Sequence, residues 1–211
     1  MDFEPIVTFL EARLQKTLPG MIANGQMAAK MVKGDPRVFE YKAPPKEGAV
    51  MIMLYPENET IRFPLIQRPE YPGVHSGQMA LPGGKKEAGE SMIETALRET
   101  EEEIGVPQSS IEVIGKLSSF YLFASNFQIQ PVVGRVHSSP TFSAQESEVA
   151  EIVKADLNHL VNDQYQKTTT LIPRNGFEME APYFDLEGKV VWGATAMMLN
   201  ELKVILKEYY D

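Results

Sequence analysis

Cysteine is absent from the 211 residues, and tryptophan occurs once. Disulfides, thiolate nucleophiles and Cys-ligated zinc or iron–sulfur centres are therefore excluded. Basic residues are in short supply, with 20 Lys and Arg against 29 Asp and Glu, a formal net charge of −9. A duplex-DNA or RNA binder needs a basic footprint against phosphates, so nucleic acid is not an expected partner. A small anionic substrate stays open if a metal ion or a few local cations offset the repulsion. Long apolar runs are missing too. The longest, Ala49–Tyr55, falls far short of the ~18 residues of a spanning helix. The N-terminal MDFEPIVTFLEARLQ lacks the basic region and apolar core of a signal peptide. The expectation is a soluble, cytoplasmic protein with no membrane partner.

At ~150 residues per domain, the length fits one domain with an extra element or two. Phe3, Ile6, Val7, Leu10 and Leu14 recur at helical spacing, which predicts an amphipathic helix from residue 3 to about 17, stopped by Pro19-Gly20. Residues 20–48 mix Met, Gly and Pro and read as an irregular arm. The division expected is an N-terminal helix and arm over 1–48 and a main domain over 49–211. Ala49–Tyr55 and Arg62–Arg68 predict a hairpin across the turn PENET. A Pro- and Gly-rich loop follows, then a helix from about Ser91 to Ile104 with Gly105 and Pro107 as its stop. Further strands are expected at Ile111–Leu117, Phe127–Val136, Glu148–Lys154, Thr168–Leu171 and Val190–Trp192, and a closing helix from Ala194 to about Tyr209. Strands interleaved with three or four helices predict an α/β (α+β) class, a mixed sheet covered by helices.

The segment LPGGKKEAGESMIETALRETEEEIGV, residues 81–106, stands apart. At ~100° per residue, Ile93, Leu97, Thr100 and Ile104 form one stripe that faces the core. Glu99, Glu102 and Glu103 fall on the other side within an arc of roughly 100°. Like charges at i,i+3 and i,i+4 each cost a few tenths of a kcal/mol in water. Such a run is ordinarily a solvated face. Here a Pro-Gly-Gly turn stands just ahead, where backbone approaches a ligand without a Cβ in the way. Arg98 lies beside the arc, with Glu90 two turns earlier in a position to pair with it. Clustered oxygens on a rigid helix beside an open backbone loop suit hard divalent cations such as Mg2+.

Gly84, Glu90, Arg98-Glu99, Glu102-Glu103, Gly105 and Val106 keep the spacing G-x5-E-x7-R-E-U-x-E-E-x-G-U, where U is a bulky aliphatic. Thr100 is the one departure, and its methyl still suits the core stripe. The segment thus resembles the box of the Nudix hydrolases. The resemblance implies a Nudix α/β/α sandwich, a loop–helix–loop site and hydrolysis of a nucleoside diphosphate linked to another group. Upstream, Leu65, Arg68, His75, Gly77, Gln78 and Pro82-Gly83-Gly84 resemble the motif of the coenzyme A pyrophosphatase subgroup, with departures at Pro69, Gly73 and Leu81. Later stretches, SEVAEI and VWGATAMML, are similar to that subgroup as well.

The resemblance implies Mg2+ or Mn2+ held by Glu99, Glu102 and Glu103 with the Gly83 carbonyl. It implies Arg98 orienting the cluster with Glu90 as its partner, and a general base among Glu99, Glu102 and Glu148. Arg68, His75, Gln78 and Lys85 are the expected substrate contacts. The expected partner is a small nucleotide, coenzyme A first. ADP-ribose, a dinucleotide, or a nucleotide-binding regulator without turnover stay open, as does a homodimer packed through the N-terminal arm. His137 and His159 have no constellation around them and are expected to be structural or surface residues. Phe120-Tyr121-Leu122-Phe123 suits a stacked base, the core or a dimer contact equally.

Overall fold

A computed structural model describes residues 2–33, 41–71, 76–123, 125–171 and 178–210. In chain order it begins with α1 (Phe3–Arg13), α2 (Met21–Gly25), β1 (Lys30–Lys33), β2 (Lys46–Glu57), β3 (Thr60–Gln67), β4 (Met79–Ala80) and β5 (Gly83–Lys85). Then come α3 (Met92–Ile104), β6 (Glu112–Lys116), β7 (Phe120–Leu122), β8 (Phe127–Arg135) and β9 (Glu151–Asp156). The chain closes with α4 (Leu157–Val161), β10 (Gln166–Leu171), β11 (Glu178–Leu186), β12 (Lys189–Trp192) and α5 (Gly193–Lys207).

The apolar run of β2 is the axis of the molecule, because a strand buried on both faces must be apolar at every position. Ala49, Met51, Met53 and Tyr55 pack in one core with Ala96 and Ile104 of α3. Val50, Ile52 and Leu54 point the other way, into a second core with Ile6 and Leu10 of α1 and Leu199 and Leu202 of α5. Helices therefore cover both faces of the sheet. The sheet is mixed: β2 and β8 run parallel from Lys46↔Phe127 to Leu54↔Arg135, and its remaining pairs are antiparallel.

One irregularity of this sheet builds the site. The β2–β3 hairpin turns through Asn58 and Glu59, both at positive φ (50° and 62°), as a two-residue turn of the primed kind requires. Beyond Tyr55↔Arg62 the two strands no longer pair with each other. The segment after the loop fills the wedge: Met79 and Ala80 pair with β3, and Gly83–Lys85 pair with β2 opposite Val50, Ala49 and Gly48. Pro82-Gly83-Gly84 is thereby carried beneath α3. That helix is fixed at both ends. Ser91 and Glu94 form a reciprocal capping box, and Gly105 ends the helix in the left-handed region at φ 72°.

Several expectations change. The first helix ends at Arg13 rather than near residue 17. The stretch from 20 on is not wholly irregular, because α2 packs against α5, and β1 pairs with β11. The strand expected from Glu148 begins at Glu151, and Glu148 lies in the preceding turn. A second, antiparallel sheet has β11 at its centre, with β10 along one edge and β1 and β12 sharing the other. Among the described residues no helix is long and apolar enough to cross a membrane.

Candidate active site

Arg98 is the hub of the site. Its Nε and Nη2 donate to the two oxygens of Glu90 at 2.6 and 3.2 Å. Its Nη1 donates to Glu99 Oε1 at 3.0 Å and to Glu102 Oε2 at 2.9 Å, and Nη2 also reaches the Lys85 carbonyl at 3.2 Å. The planar fork of a guanidinium can serve several carboxylates at once in this way. Glu90 accepts further bonds from the Glu87 N–H and the Thr95 hydroxyl, both at 2.9 Å. The Arg98 guanidinium, helped by these donors, holds the Glu90 carboxyl down at about 2. Glu90 and Arg98 thus form a permanent ionic latch between the glycine loop and α3.

The acidic arc is not a uniformly solvated face. Glu102 is exposed, whereas Glu99 is half-buried and Glu103 is only 4% exposed. Glu103 flanks the core stripe, and β5 closes over it. Its Oε2 accepts the Gly83 N–H at 2.8 Å. Burial pushes the Glu103 carboxyl up to about 7, against the opposing pull of that N–H and of Arg68, and the charges of Glu99 and Glu148 add to the rise. Glu99 is likewise raised by burial, with Glu102 and Glu148 adding repulsion. Gly84 makes room for it: a Cβ there would lie 2.5 Å from the Glu99 carboxyl carbon.

Glu148 reaches the cluster from outside α3. The Gln145 N–H bonds the Glu103 carbonyl at 3.0 Å, the Glu148 N–H bonds Gln145, and the Ala150 N–H bonds the Gln67 carbonyl at 2.8 Å. This turn hangs Glu148 between the C-terminal part of α3 and the end of β3. Glu151 is drawn off to Lys189 at 2.6 Å. Four carboxylates, Glu99, Glu102, Glu103 and Glu148, therefore share one locality, with Arg98 at one side and Arg68 at the other.

Such an arrangement attracts cations. Two carboxylates meet at a single Arg98 nitrogen, a third is buried with one N–H donor, and burial, with repulsion from neighbouring carboxylates added, raises Glu99 and Glu103. Hard oxygen donors of this kind fit Mg2+ or Mn2+. Among the described residues no three acidic or imidazole side chains are already drawn together to ligate an ion. Glu99 and Glu102 are turned onto Arg98 and would have to swing away from it.

The sequence pattern of the NUDIX domain matches residues 45–166, more than half of the chain. The chain belongs to the Nudix family. An uncharacterized Nudix hydrolase, NudL, of Yersinia enterocolitica is 33% identical over 169 residues, covering 79% of this chain and 85% of NudL. A Yersinia pestis NudL, also uncharacterized, is 31% identical over 164 residues, covering 77% and 80%. In structure, the Nudix hydrolase RenU of M. smegmatis superposes with a TM-score of 0.57 at 14% identity, over 79% of this chain and 88% of RenU. This likeness is one of fold. The protein is thus a Nudix-family enzyme with the α/β Nudix fold and one helix at each end of the chain.

The other expected Nudix site residues are distributed unevenly. Arg68 directly follows β3, close enough to oppose the rise of the Glu103 carboxyl, and its backbone N–H bonds the Gln78 carbonyl at 3.0 Å. Gln78 is therefore beside Arg68, half-buried. Lys85 contributes its carbonyl to Arg98, while its side chain is exposed. His75 and Gly73 lie outside the described residues. His137 sits at the surface, 3.8 Å from Glu4 and 3.5 Å from Glu112, and His159 stacks on Tyr165, both apart from the cluster. Phe123 is exposed and meets Tyr121 edge-on. Gly48, which no motif singles out, abuts Gly84. An isolated glycine opening an apolar strand is the signal of such a close backbone approach.

Proposed function

We propose that this Nudix hydrolase cleaves the diphosphate of coenzyme A, releasing 3′-phosphoadenosine 5′-phosphate and 4′-phosphopantetheine. One observation carries the reading. Of the residues that resemble the coenzyme A pyrophosphatase motif, Gly83, Gly84 and Arg68 lie against the carboxylates of the Nudix helix, and Gln78 is held beside Arg68. The wedge between β2 and β3 joins the two motifs in one site.

Glu99, Glu102, Glu103 and the Gly83 carbonyl would hold Mg2+ or Mn2+, which supplies polarisation of the diphosphate and lowers the pKa of a bound water. Arg98, locked by Glu90, sets the orientation of Glu99 and Glu102 and does not touch substrate. Glu99, Glu102 and Glu148 are the groups placed to take the proton from the attacking water. They act as a coupled set, so the proton belongs to the cluster rather than to one carboxylate. Arg68, beside Glu103, is a cation available to the phosphates of the substrate.

Arg98→Lys keeps one positive charge but cannot span Glu90, Glu99 and Glu102 together. Steady-state kinetics should show kcat reduced ~10-fold or more with KM nearly unchanged, the pattern of a lost transition-state interaction. A large rise in KM at unchanged kcat would make Arg98 a substrate contact instead.

Substrate choice is tested with coenzyme A, dephospho-coenzyme A and ADP-ribose side by side. Gly73 stands where the subgroup motif has a cation, so Arg68 or Lys85 must read the 3′-phosphate. A charge-assisted contact of ~1.5–3 kcal/mol gives coenzyme A an advantage of roughly 10- to 150-fold in kcat/KM over the dephospho form. Equal rates on those two would show that the 3′-phosphate is not read. Faster turnover of ADP-ribose would remove the coenzyme A assignment and leave the Nudix pyrophosphohydrolase.

A further inference from the structure

The geometry points to Gly48 as a positioning residue of the acidic centre, acting on Glu99 through Gly84; the inference rests on the metal-centre reading above. Gly48 lies in β2, buried, between Lys85 of β5 and Ile129 of β8. Its backbone is not in the left-handed region, and neither is that of Gly84. Conformation therefore does not demand glycine at either position. Space does. A Cβ on Gly48 would stand 2.5 Å from the Gly84 carbonyl oxygen, and a Cβ on Gly84 would stand 2.5 Å from the Glu99 carboxyl carbon. β2 and β5, neighbours in one sheet, and α3 packed over them meet at two positions kept bare, and α3 presents there a carboxylate of the proposed metal centre.

The obstacle at Gly48 is a backbone atom fixed in a strand pair, so it cannot rotate aside as a side chain does. Contacts between a carbon and a carbonyl oxygen run at ~3.3–3.6 Å, so a methyl at 48 displaces the strand pair or the Gly84 carbonyl by nearly ~1 Å. Displacements of that size at a reacting centre cost about 10²-fold. Gly134 gives the contrast. It too is buried, in β8, and its Cβ would meet Ile111 at 2.9 Å and the Met51 sulfur at 3.1 Å. It pairs with Met53, five residues along β2 from Gly48. The atoms crowded there, with the Glu112 carbonyl at 3.3 Å, belong to the core beneath α3 and to β6, and none belongs to β5 or to a carboxylate of the site.

The test is calorimetric titration with Mn2+ alone, beside thermal melts, on the full chain and on G48A, G134A, E99Q and G48A/E99Q. G48A should remain folded and bind Mn2+ at least ~10-fold more weakly, whereas G134A should lower the melting temperature but hold its affinity within ~2-fold. In the E99Q background, G48A should weaken binding by a smaller factor than it does in the unaltered chain, because the path through Glu99 is cut and only the one through the neighbouring Gly83 carbonyl remains. Unchanged affinity in G48A, equal loss in G134A, or full additivity with E99Q would overturn the inference. Failure of G48A to fold would make Gly48 a requirement of the sheet alone and overturn it as well. If the unaltered chain takes up no Mn2+, the metal-centre reading fails first and this inference falls with it. Normal uptake by both the unaltered chain and G48A removes only the inference.

Discussion

Glu102→Gln and Glu103→Gln are each expected to lower kcat by at least ~10²-fold, the loss that follows removal of a metal ligand or of a general base. The two variants reach that result from different environments. Glu102 is exposed and shares Arg98 with Glu99, so its amide loses the charge and leaves Arg98 on Glu90 and Glu99. Glu103 is buried, and its amide oxygen can still accept the Gly83 N–H. Neither change removes a packing contact, so both proteins should fold. Near-native turnover in both would sink the assignment of the α3 carboxylates to the chemistry.

The second large effect concerns stability. Burial raises the Glu103 carboxyl to about 7, above the 4.5 of an ordinary Glu. In metal-free protein the stability linked to this group is fully present below pH ~4.5 and is lost as pH rises through ~7, because the native state binds the extra proton across that window. At ~1.4 kcal/mol per pH unit the loss approaches about 3 kcal/mol. Glu103→Gln has no proton to lose. In the presence of a chelator it should therefore melt about 5–10 °C above the unaltered chain at pH 8, with the gap closing toward pH 5. Added Mg2+ should reverse the order, since an ion that binds only the native state stabilises by mass action and the variant has lost a ligand. A pH-independent gap, or an unaltered chain more stable than the variant under chelation, would contradict the burial argument.

Much of this architecture was legible in the residues. The buried strand of β2, the α3 helix with its Gly105 stop, and the Glu90–Arg98 pairing all follow from apolar runs, periodicity and spacing. What was not legible depended on neighbours distant in sequence. A helical wheel groups Glu103 with Glu99 and Glu102, and only β5 folding back over that flank turns it into a buried acid. β11 was missed because EMEAPYFDL has weak alternation and carries Pro182. On the edge shared by β1 and β12, which pair at 178–180 and 183–186, Pro182 falls in the interval covered by neither, where a missing N–H interrupts no pairing. The five-residue helices α2 and α4 lack the length for a periodic signal and exist because α5 packs against them. Gly48 is the instructive case for function, because its role is an absence of atoms opposite a strand that the sequence places more than thirty residues away.

The most direct measurement is hydrolysis of coenzyme A by the full chain across a titration of Mg2+ and Mn2+, with products identified by mass. The carboxylate centre predicts no turnover under chelation, saturable activation by the ion, and 4′-phosphopantetheine with 3′-phosphoadenosine 5′-phosphate as the products. Absence of hydrolysis of coenzyme A, ADP-ribose and dinucleotides at every concentration of either ion would contradict it and leave a nucleotide-binding protein that has kept the Nudix fold without the reaction.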